Sequence, residues 1–394
     1  MSNGEVFITG TGVFLPNAPV TNDRMERILG QVGERPSRAR RTILRSNGIQ
    51  TRHYAIDPET LRPTHTNASL TASAVRELAN AQDFDLAQLD CLACGTSIPD
   101  QLMPNHASMV QGELELPTLE AVATSGVCLS GVSALKYAWL GVAAGQYANA
   151  VATGSELSSS MLSARNYSGE GCNSENSGDE SDQQLAQLEK NPELAFEKDF
   201  LRWMLSDGAG ALLLQRQPRA GQTNLRIDWI DLFSYAGEME TCMYAGAIKE
   251  SDGSVTGWAR LPSEERARQS VLAVKQDVKL LNDHIIHYTV EKPLRTLIAK
   301  RQLRADDFAF FVPHYSSTFF RDRVYAGLQN AELPIPQERW FTNLTSKGNT
   351  GAASLYIMLD ELLHSGRLQA GQRLLCWVPE SGRFSAGFMQ LTVV

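Results

Sequence analysis

The nine residues Ala-Thr-Ser-Gly-Val-Cys-Leu-Ser-Gly, numbered 123–131, decide how the rest of the chain is interpreted. They place Cys128 among small residues, directly before a helical pattern at 132–146. At a tight turn into a helix, unpaired backbone N–H groups and the positive end of the helix dipole favour a thiolate. We therefore predict that Cys128 is a nucleophile. The alternative is a buried apolar cysteine, which this glycine- and serine-rich setting disfavours.

Composition bounds the class of protein. The chain has 394 residues, of which 43% are hydrophobic and 20% charged, enough for one large domain or two fused ones. No apolar run reaches the roughly 18 residues of a membrane span, and the N-terminus lacks the segments of a signal peptide. The net charge of −8 argues against non-specific nucleic-acid binding. We expect a cytoplasmic protein with no membrane span and no nucleic-acid partner.

The six cysteines are scattered, which indicates a reducing compartment rather than a disulfide framework. Cys91 and Cys94 form a C-x-x-C pair, but they lie in a stretch typical of a buried strand, where positions three apart face opposite ways. No second pair exists to complete a zinc site. We therefore expect no bound metal.

Two halves of the chain repeat one order of predicted elements at an offset of about 220 residues. In each half the order is helix, strand, small-residue turn, helix and strand: 70–81, 92–96, 123–131, 132–146 and 148–153, then 284–300, 308–312, 348–354, 355–363 and 372–378. An internal duplication is the economical explanation.

The repeat indicates which residues lie close to Cys128 in the site. Asn349 lies in the equivalent small-residue turn, and His314 follows the strand equivalent to the one that contains Cys94. Sites in α/β proteins gather at the carboxyl ends of strands and at helix N-termini. We therefore predict that Cys128, His314 and Asn349 share one cleft. A thiolate beside a histidine suits acceptance of an acyl group from a thioester. The alternatives are a packed core histidine and a helix-capping asparagine.

Two segments interrupt the repeat. Residues 158–200 form an insertion, with a polar, serine- and acid-rich excursion at 168–184 and helical composition at 184–201. Residues 235–266 carry several large apolar side chains, which either cover an apolar tunnel or patch the surface.

Blocks along the whole chain resemble β-ketoacyl-acyl carrier protein synthase III and its relatives in the thiolase superfamily. They occur in that family's order, at residues 8–12, 15–16, 21–22, 47–53, the Cys128 turn, 207–211, 312–314, 348–354 and 382–384. The resemblance implies a five-layered α-β-α-β-α fold of two pseudo-symmetric halves, here 1–220 and 221–394, that forms a homodimer.

The resemblance also implies roles for single residues. Cys128 would carry the acyl group, while His314 and Asn349 would hold the extender carbonyl as enolate charge develops. The backbone N–H groups of Cys128 and Gly382 would form an oxyanion hole for the tetrahedral intermediates. The substrates would be acyl thioesters on acyl carrier protein or coenzyme A, with no further cofactor.

Two departures from the family pattern indicate which kind of thioester donates the acyl group. Thr42 stands near the position of a tryptophan that stacks on the adenine of coenzyme A, and Ser46 stands where an arginine is common. These changes favour a carrier-bound acyl group and specialised metabolism. A basic cluster is then the candidate dock for the carrier, the alternative being a solvated helix face. Its members are Arg38, Arg40, Arg41 and Arg45.

Glu156 ends the strand that follows the cysteine helix. Some relatives are ketosynthase-cyclases of the dialkylresorcinol type, in which a carboxylate near the cysteine would supply a base for ring closure. The alternative for Glu156 is a structural role.

The sequence thus predicts a condensing enzyme that joins a cysteine-bound acyl group to a malonyl- or β-ketoacyl thioester by Claisen chemistry, with or without ring closure. Two alternatives are an acyltransferase that forms an ester or amide and a non-catalytic partner subunit. Asn349 argues against the first, and the complete set of Cys, His and Asn argues against the second.

Overall fold

The computed structural model describes residues 4–31, 40–167 and 201–394. Arg38, Cys172 and the predicted excursion at 168–184 lie outside these residues, as does all but the last residue of the predicted helix at 184–201. The strands are β1 Phe7–Phe14, β2 Val20–Thr21, β3 Thr51–Arg52, β4 Cys91–Thr96, β5 Glu120–Ser125, β6 Asn149–Glu156, β7 Gly208–Gln215, β8 Leu225–Ser234, β9 Met243–Tyr244, β10 Ala247–Lys249, β11 Val255–Gly257, β12 Lys275–Gln276, β13 Phe310–Pro313, β14 Arg373–Glu380 and β15 Ser385–Val393.

Nine strands form one long sheet in the order β13-β14-β15-β8-β1-β7-β6-β4-β5. Within the sheet, β1 and β8 are joined only through the antiparallel pairs of Phe7 with Arg226 and Ile8 with Leu225. The sheet therefore divides there into two sub-sheets, one built from the first half of the chain and one from the second.

The two sub-sheets have the same topology. In the first, β4 pairs in parallel with β5 and β6, and β6-β7-β1 continue antiparallel. In the second, β13 pairs in parallel with β14, and β14-β15-β8 continue antiparallel. A parallel bridge between Phe311 and Trp340 occupies the place equivalent to β5. The repeat predicted from the sequence is thus present in the strand pairing.

Helices complete five layers. The described α-helices are Met25–Leu29, Arg40–Asn47, Asn67–Gln82, His106–Glu113, Ser130–Ala143, Ser158–Leu162, Ser263–Arg268, Val278–Ile286, Lys292–Arg301, Arg321–Asn330, Leu344–Lys347 and Ser354–His364. Ser130–Ala143 and Ser354–His364 are the inner layer, since their apolar side chains share one buried cluster with strands of both sub-sheets. Asn67–Gln82 covers the outer face of the first sub-sheet. Val278–Arg301, which includes a π-helical turn at His287–Glu291, covers the outer face of the second.

Backbone contact holds the two halves together at the inner layer. A Cβ atom added to Gly154 would lie 2.2 Å from the carbonyl oxygen of Ala352, and one added to Gly131 would lie 2.3 Å from it. Gly131 lies in the first turn of the inner helix of the first half, whereas Ala352 lies just before the inner helix of the second. The small residues of both predicted turns therefore serve a close approach between the halves.

One sequence prediction of local structure is wrong. Residues 123–125, placed in the turn before Cys128, are the end of strand β5. The first described α-helix begins at Met25, after a turn in which the side chain of Asn22 donates to Ile49 O. Strands β8 and β15, which the pattern did not separate from loops, form the middle of the second sub-sheet.

Substituting Gly154 by Ala tests this close contact. We expect a loss of about 1–3 kcal/mol of folding free energy, because the new methyl group meets backbone that has little room to move. The midpoint of urea unfolding measures the loss. Gly112→Ala is the matched control, since no atom lies within 4 Å of a Cβ there, and we expect it to keep or slightly raise stability. Equal midpoints for wild type and Gly154→Ala would contradict the contact.

Candidate active site

Cys128, His314 and Asn349 line one cavity. The structure therefore brings together the three residues that the repeat assigned to a common cleft. Most of the remaining wall is apolar and comes from the second half and from the segment before β7; it includes Leu201, Met204, Leu281, Ile285, Phe320 and Val324. The mainly apolar lining suits an acyl chain.

The turn that carries Cys128 connects β5 to the inner helix. Gly126 has a φ of +156°, the Val127 carbonyl accepts from Ser130 N–H and from the Ser130 hydroxyl, and the helix begins at Ser130. The turn leaves the Cys128 side chain partly buried and on the cavity wall.

A carboxylate lies beneath this turn. The Glu380 Oε2 atom accepts hydrogen bonds from the backbone N–H groups of Val127, at 2.9 Å, and Leu129, at 3.2 Å. Burial first, and then the charges of Glu156 and Glu380, raise the pKa of the Cys128 thiol well above its usual value. The direction of this shift is opposite to the one expected from the helix dipole.

His314 follows strand β13 and is buried. Its backbone N–H donates to Trp377 O at 2.8 Å, and its Nδ1 lies 2.9 Å from the Ser354 hydroxyl oxygen. Burial lowers the pKa of His314 to about 4, so the imidazole is neutral at physiological pH. When the Ser354 hydroxyl donates to Nδ1, the ring proton lies on Nε2, the edge left for the cavity.

Asn349 is held by the chain just before β7. Its backbone N–H donates to Met204 O at 2.9 Å, and its carbonyl accepts from Ser206 N–H at 2.8 Å. Its side-chain Oδ1 accepts from Gly351 N–H at 2.9 Å. Because Oδ1 is engaged within the turn, the Nδ2 amide group is the part of Asn349 that can donate to a ligand in the cavity.

Glu156 does not line the cavity. It is buried, and its carboxylate accepts from Ser97 N–H, from the Ser97 hydroxyl at 2.5 Å and from Ala352 N–H at 3.0 Å. Burial raises the pKa of Glu156 to about 7, and these hydrogen bonds oppose that shift. The contacts favour the structural alternative for Glu156, and its role as a cyclisation base stays a prediction.

Gly382 lies against the nucleophile turn. A Cβ atom at Gly382 would be 3.2 Å from a methyl group of Val127, and its carbonyl accepts from Cys242 N–H at 2.9 Å. This places the Gly382 backbone beside the Cys128 turn. Pairing of the Gly382 and Cys128 N–H groups as an oxyanion hole stays a prediction.

The arginine cluster divides into different environments. Arg40 pairs with Glu26 at 2.5 Å, whereas Arg41 and Arg45 are exposed on the helix Arg40–Asn47. That helix packs beside the cavity wall. The hydroxyl of Thr318 donates to Ser46 O on the helix, and Thr318 is two residues before Phe320, which lines the cavity.

The segment 235–266 serves both of its predicted purposes. Met243 lines the cavity, whereas the side chain of Trp258 is exposed at the surface, with the Arg266 guanidinium 5.2 Å from its ring centroid. Outside that segment, Ser354 contacts His314 and Glu380 contacts the turn of Cys128, although no local sequence pattern indicates either residue. The repeat was the available signal for Glu380, because Glu380 ends the strand equivalent to the one that Glu156 ends.

The chain resembles known proteins in part of its sequence and in its whole fold. Residues 298–389 match the family model of the C-terminal region of 3-oxoacyl-[acyl-carrier-protein (ACP)] synthase III. This match lies within the second half of the chain. The tetronic acid condensing enzyme AbyA1 is 20% identical, with a TM-score of 0.73 and an alignment that covers 98% of this chain and 99% of that chain.

Two further solved structures are similar over the whole length. Synthase III of Aquifex aeolicus VF5 is 21% identical, with a TM-score of 0.67 and coverage of 99% of this chain and 100% of that chain. Xanthomonas campestris OleA is 18% identical, with a TM-score of 0.70 and coverage of 100% and 99%. These structures confirm the predicted thiolase-like fold, and the family match over residues 298–389 agrees with the predicted resemblance to synthase III.

Within residues 4–31, 40–167 and 201–394, no group of three or more His, Cys, Asp or Glu side chains is arranged to hold a metal ion. Cys91 and Cys94 lie in the fully buried strand β4, as predicted. No helix in the same residues has the length and apolar character needed to cross a membrane.

Substituting Ser354 by Ala tests how His314 is oriented. We expect condensation to slow about fivefold, because a hydrogen bond worth about 1 kcal/mol in the transition state is lost, while acylation of Cys128 continues. Single-turnover consumption of a pre-formed acyl-enzyme measures the effect. The control is Ser73→Ala, which removes a hydroxyl that donates to Ser69 O in an outer helix. Wild-type turnover by Ser354→Ala would show that the hydroxyl does not orient the imidazole.

Proposed function

We propose that this chain joins an acyl group carried on Cys128 to a malonyl- or β-ketoacyl unit carried on acyl carrier protein. The observation that supports it most is the single apolar cavity into which one half of the chain contributes a thiol and the other half contributes two neutral hydrogen-bond donors. This combination serves acyl storage and enolate formation in one enclosed space.

The first step is thioester exchange. The Cys128 sulfur attacks the donor carbonyl, the carbon–sulfur bond of the donor breaks, and the thiol proton passes to the departing carrier thiolate. The exchange is nearly isoenergetic, so the new thioester stays reactive. Since the pKa of the thiol is raised, its deprotonation belongs to the acylation step.

The second step forms the carbon–carbon bond. Loss of carbon dioxide from a malonyl thioester leaves an enolate. With a β-ketoacyl thioester the enolate forms by release of an α-proton to water, and the Cys128 sulfur regains one proton from water after it departs. The enolate oxygen accepts from His314 Nε2–H and Asn349 Nδ2–H. The enolate carbon attacks the acyl carbon, and Cys128 departs as a thiolate. Neutral donors fixed in a buried site stabilise such charge with little reorganisation.

The residues that line the cavity support the proposal that the group carried on Cys128 is an acyl chain. Most of the lining side chains are aliphatic or aromatic, and Gln276, Ser316 and Ser381 are polar members of the wall. A structure of Xanthomonas campestris OleA contains lauric acid and lauroyl-CoA, which shows that this fold can hold long acyl groups. Transfer to an alcohol or amine is the less favoured reaction here, because Asn349 presents a second donor suited to an enolate.

A homodimer is part of the proposal. Strand β5 is the edge of the sheet, and its outer edge has no strand partner in the described part of the chain. Large apolar side chains lie exposed nearby in the chain and on the adjacent helix, namely Leu102, Met103, Tyr137 and Leu140. Pairing of two β5 strands would satisfy the edge and cover this surface.

Substituting Cys128 by Ala tests the nucleophile. After mixing with acyl carrier thioesters, wild-type protein should gain the mass of one acyl group, and Cys128→Ala should gain none. Intact-protein mass spectrometry measures both. A panel of acyl donors and extenders, with identification of the products, then separates linear condensation from ring closure. A wild-type protein that never gains acyl mass from any donor would refute the proposal.

Charge reversal at Arg41 or Arg45 tests carrier docking. Each substitution by Glu should raise KM for carrier-bound donors about three- to tenfold, because an attractive contact with an acidic carrier becomes repulsive. The KM for a small N-acetylcysteamine thioester should not change. Arg373→Glu is the matched control, since Arg373 is exposed at the far end of β14 from Glu380. An equal rise in KM for both donor types would argue against docking.

A further inference from the structure

Two glutamates occupy equivalent places in the repeat. Glu156 is the last residue of β6 and Glu380 the last residue of β14, the strands that follow the two inner helices. They are roughly 220 residues apart, the separation that also relates Cys128 to Asn349. The duplicated halves therefore each end this strand with a carboxylate.

Each carboxylate reaches into the opposite half. Glu156, of the first half, accepts from Ala352 N–H in the turn that carries Asn349. Glu380, of the second half, accepts from Val127 N–H and Leu129 N–H on either side of Cys128. The contacts are reciprocal across the axis that relates the halves.

Glycines make room for both carboxylates. A Cβ atom at Gly126 would lie 3.1 Å from Glu380 Oε2, and one at Gly382 would lie 3.4 Å from Glu380 Oε1. Gly351, with a φ of +51°, faces Glu156 so closely that a Cβ atom there would be 2.6 Å from its Cγ. The backbone of each turn is thus shaped around the glutamate of the other half.

We infer that Glu156 and Glu380 are paired positioning residues for the proposed reaction, each fixing the catalytic turn of the opposite half and together placing negative charge beside Cys128. The inference rests on the proposed function of Cys128 and Asn349. Glu380 engages the N–H groups on both sides of Cys128, which leaves the N–H of Cys128 itself for an oxyanion.

The negative charge near Cys128 affects the pKa of its thiol. Three titratable groups surround Cys128: Glu380 lies beneath its turn, Glu156 acts on it from outside the cavity, and His314 shares its cavity. The two carboxylates raise the pKa of Cys128 beyond the effect of burial and thereby disfavour the thiolate. A thiol in this state resists oxidation and alkylation, which proceed through the thiolate.

The test is the pH dependence of Cys128 alkylation by iodoacetamide in the full-length protein, followed by mass spectrometry of the Cys128 peptide. Glu380→Gln and Glu156→Gln each keep an amide oxygen as acceptor and remove the charge. We expect each variant to shift the alkylation midpoint to lower pH by about one unit, so that alkylation at pH 7.5 becomes about tenfold faster. Alkylation needs no acyl donor, so its outcome is independent of whether the proposed condensation takes place.

A kinetic comparison separates the two glutamates. Glu380→Gln should change the rate of acylation by a carrier thioester, because it acts on the Cys128 turn. Glu156→Gln should change the rate at which a pre-formed acyl-enzyme reacts with extender, because it acts on the Asn349 turn. Alkylation profiles of both variants that match wild type would overturn the inference. If a variant fails to fold, a wild-type midpoint at or below about pH 8.5, the value of an ordinary thiol, would overturn it as well.

Discussion

The structure depends on how closely two backbones meet at the axis that relates the halves. The carbonyl of Ala352 occupies the space where side chains of Gly131 and Gly154 would otherwise lie. Such contact fixes the distance between the two inner helices, whose N-terminal ends carry Cys128 and Asn349. A site assembled from opposite halves therefore has the rigidity of a packed core rather than that of two facing loops.

This constraint also determines the electrostatics of the site. Bringing the two turns together buries the thiol, the imidazole and two carboxylates in one region of low polarity. Burial raises the pKa of Cys128 and lowers that of His314, so both groups favour their neutral forms in the resting site. Fixed N–H donors around the position where substrate charge appears then stabilise intermediates more than they stabilise the resting enzyme.

Local composition and the repeat predicted most of the architecture. The elements around Cys128, His314 and Asn349 were placed correctly because small-residue turns, apolar strands and amphipathic helices have distinct patterns. The end of β5 was missed, since 123–125 are small residues that read as part of the turn. The expectation of a thiolate considered only the helix dipole. Burial, and then the charges of Glu156 and Glu380, oppose the thiolate, and both the burial and the position of Glu380, about 250 residues away, lie outside any local pattern.

The central claim is that the halves divide the reaction: the first stores the acyl group on Cys128, and the second activates the extender through His314 and Asn349. The most direct measurement follows the mass of pre-acylated Asn349→Ala after a malonyl carrier thioester is added. The account predicts that the acyl mass persists on the variant while wild type loses it to a carbon–carbon coupled product. Loss of the acyl group from Asn349→Ala to the same product at the wild-type rate would contradict it.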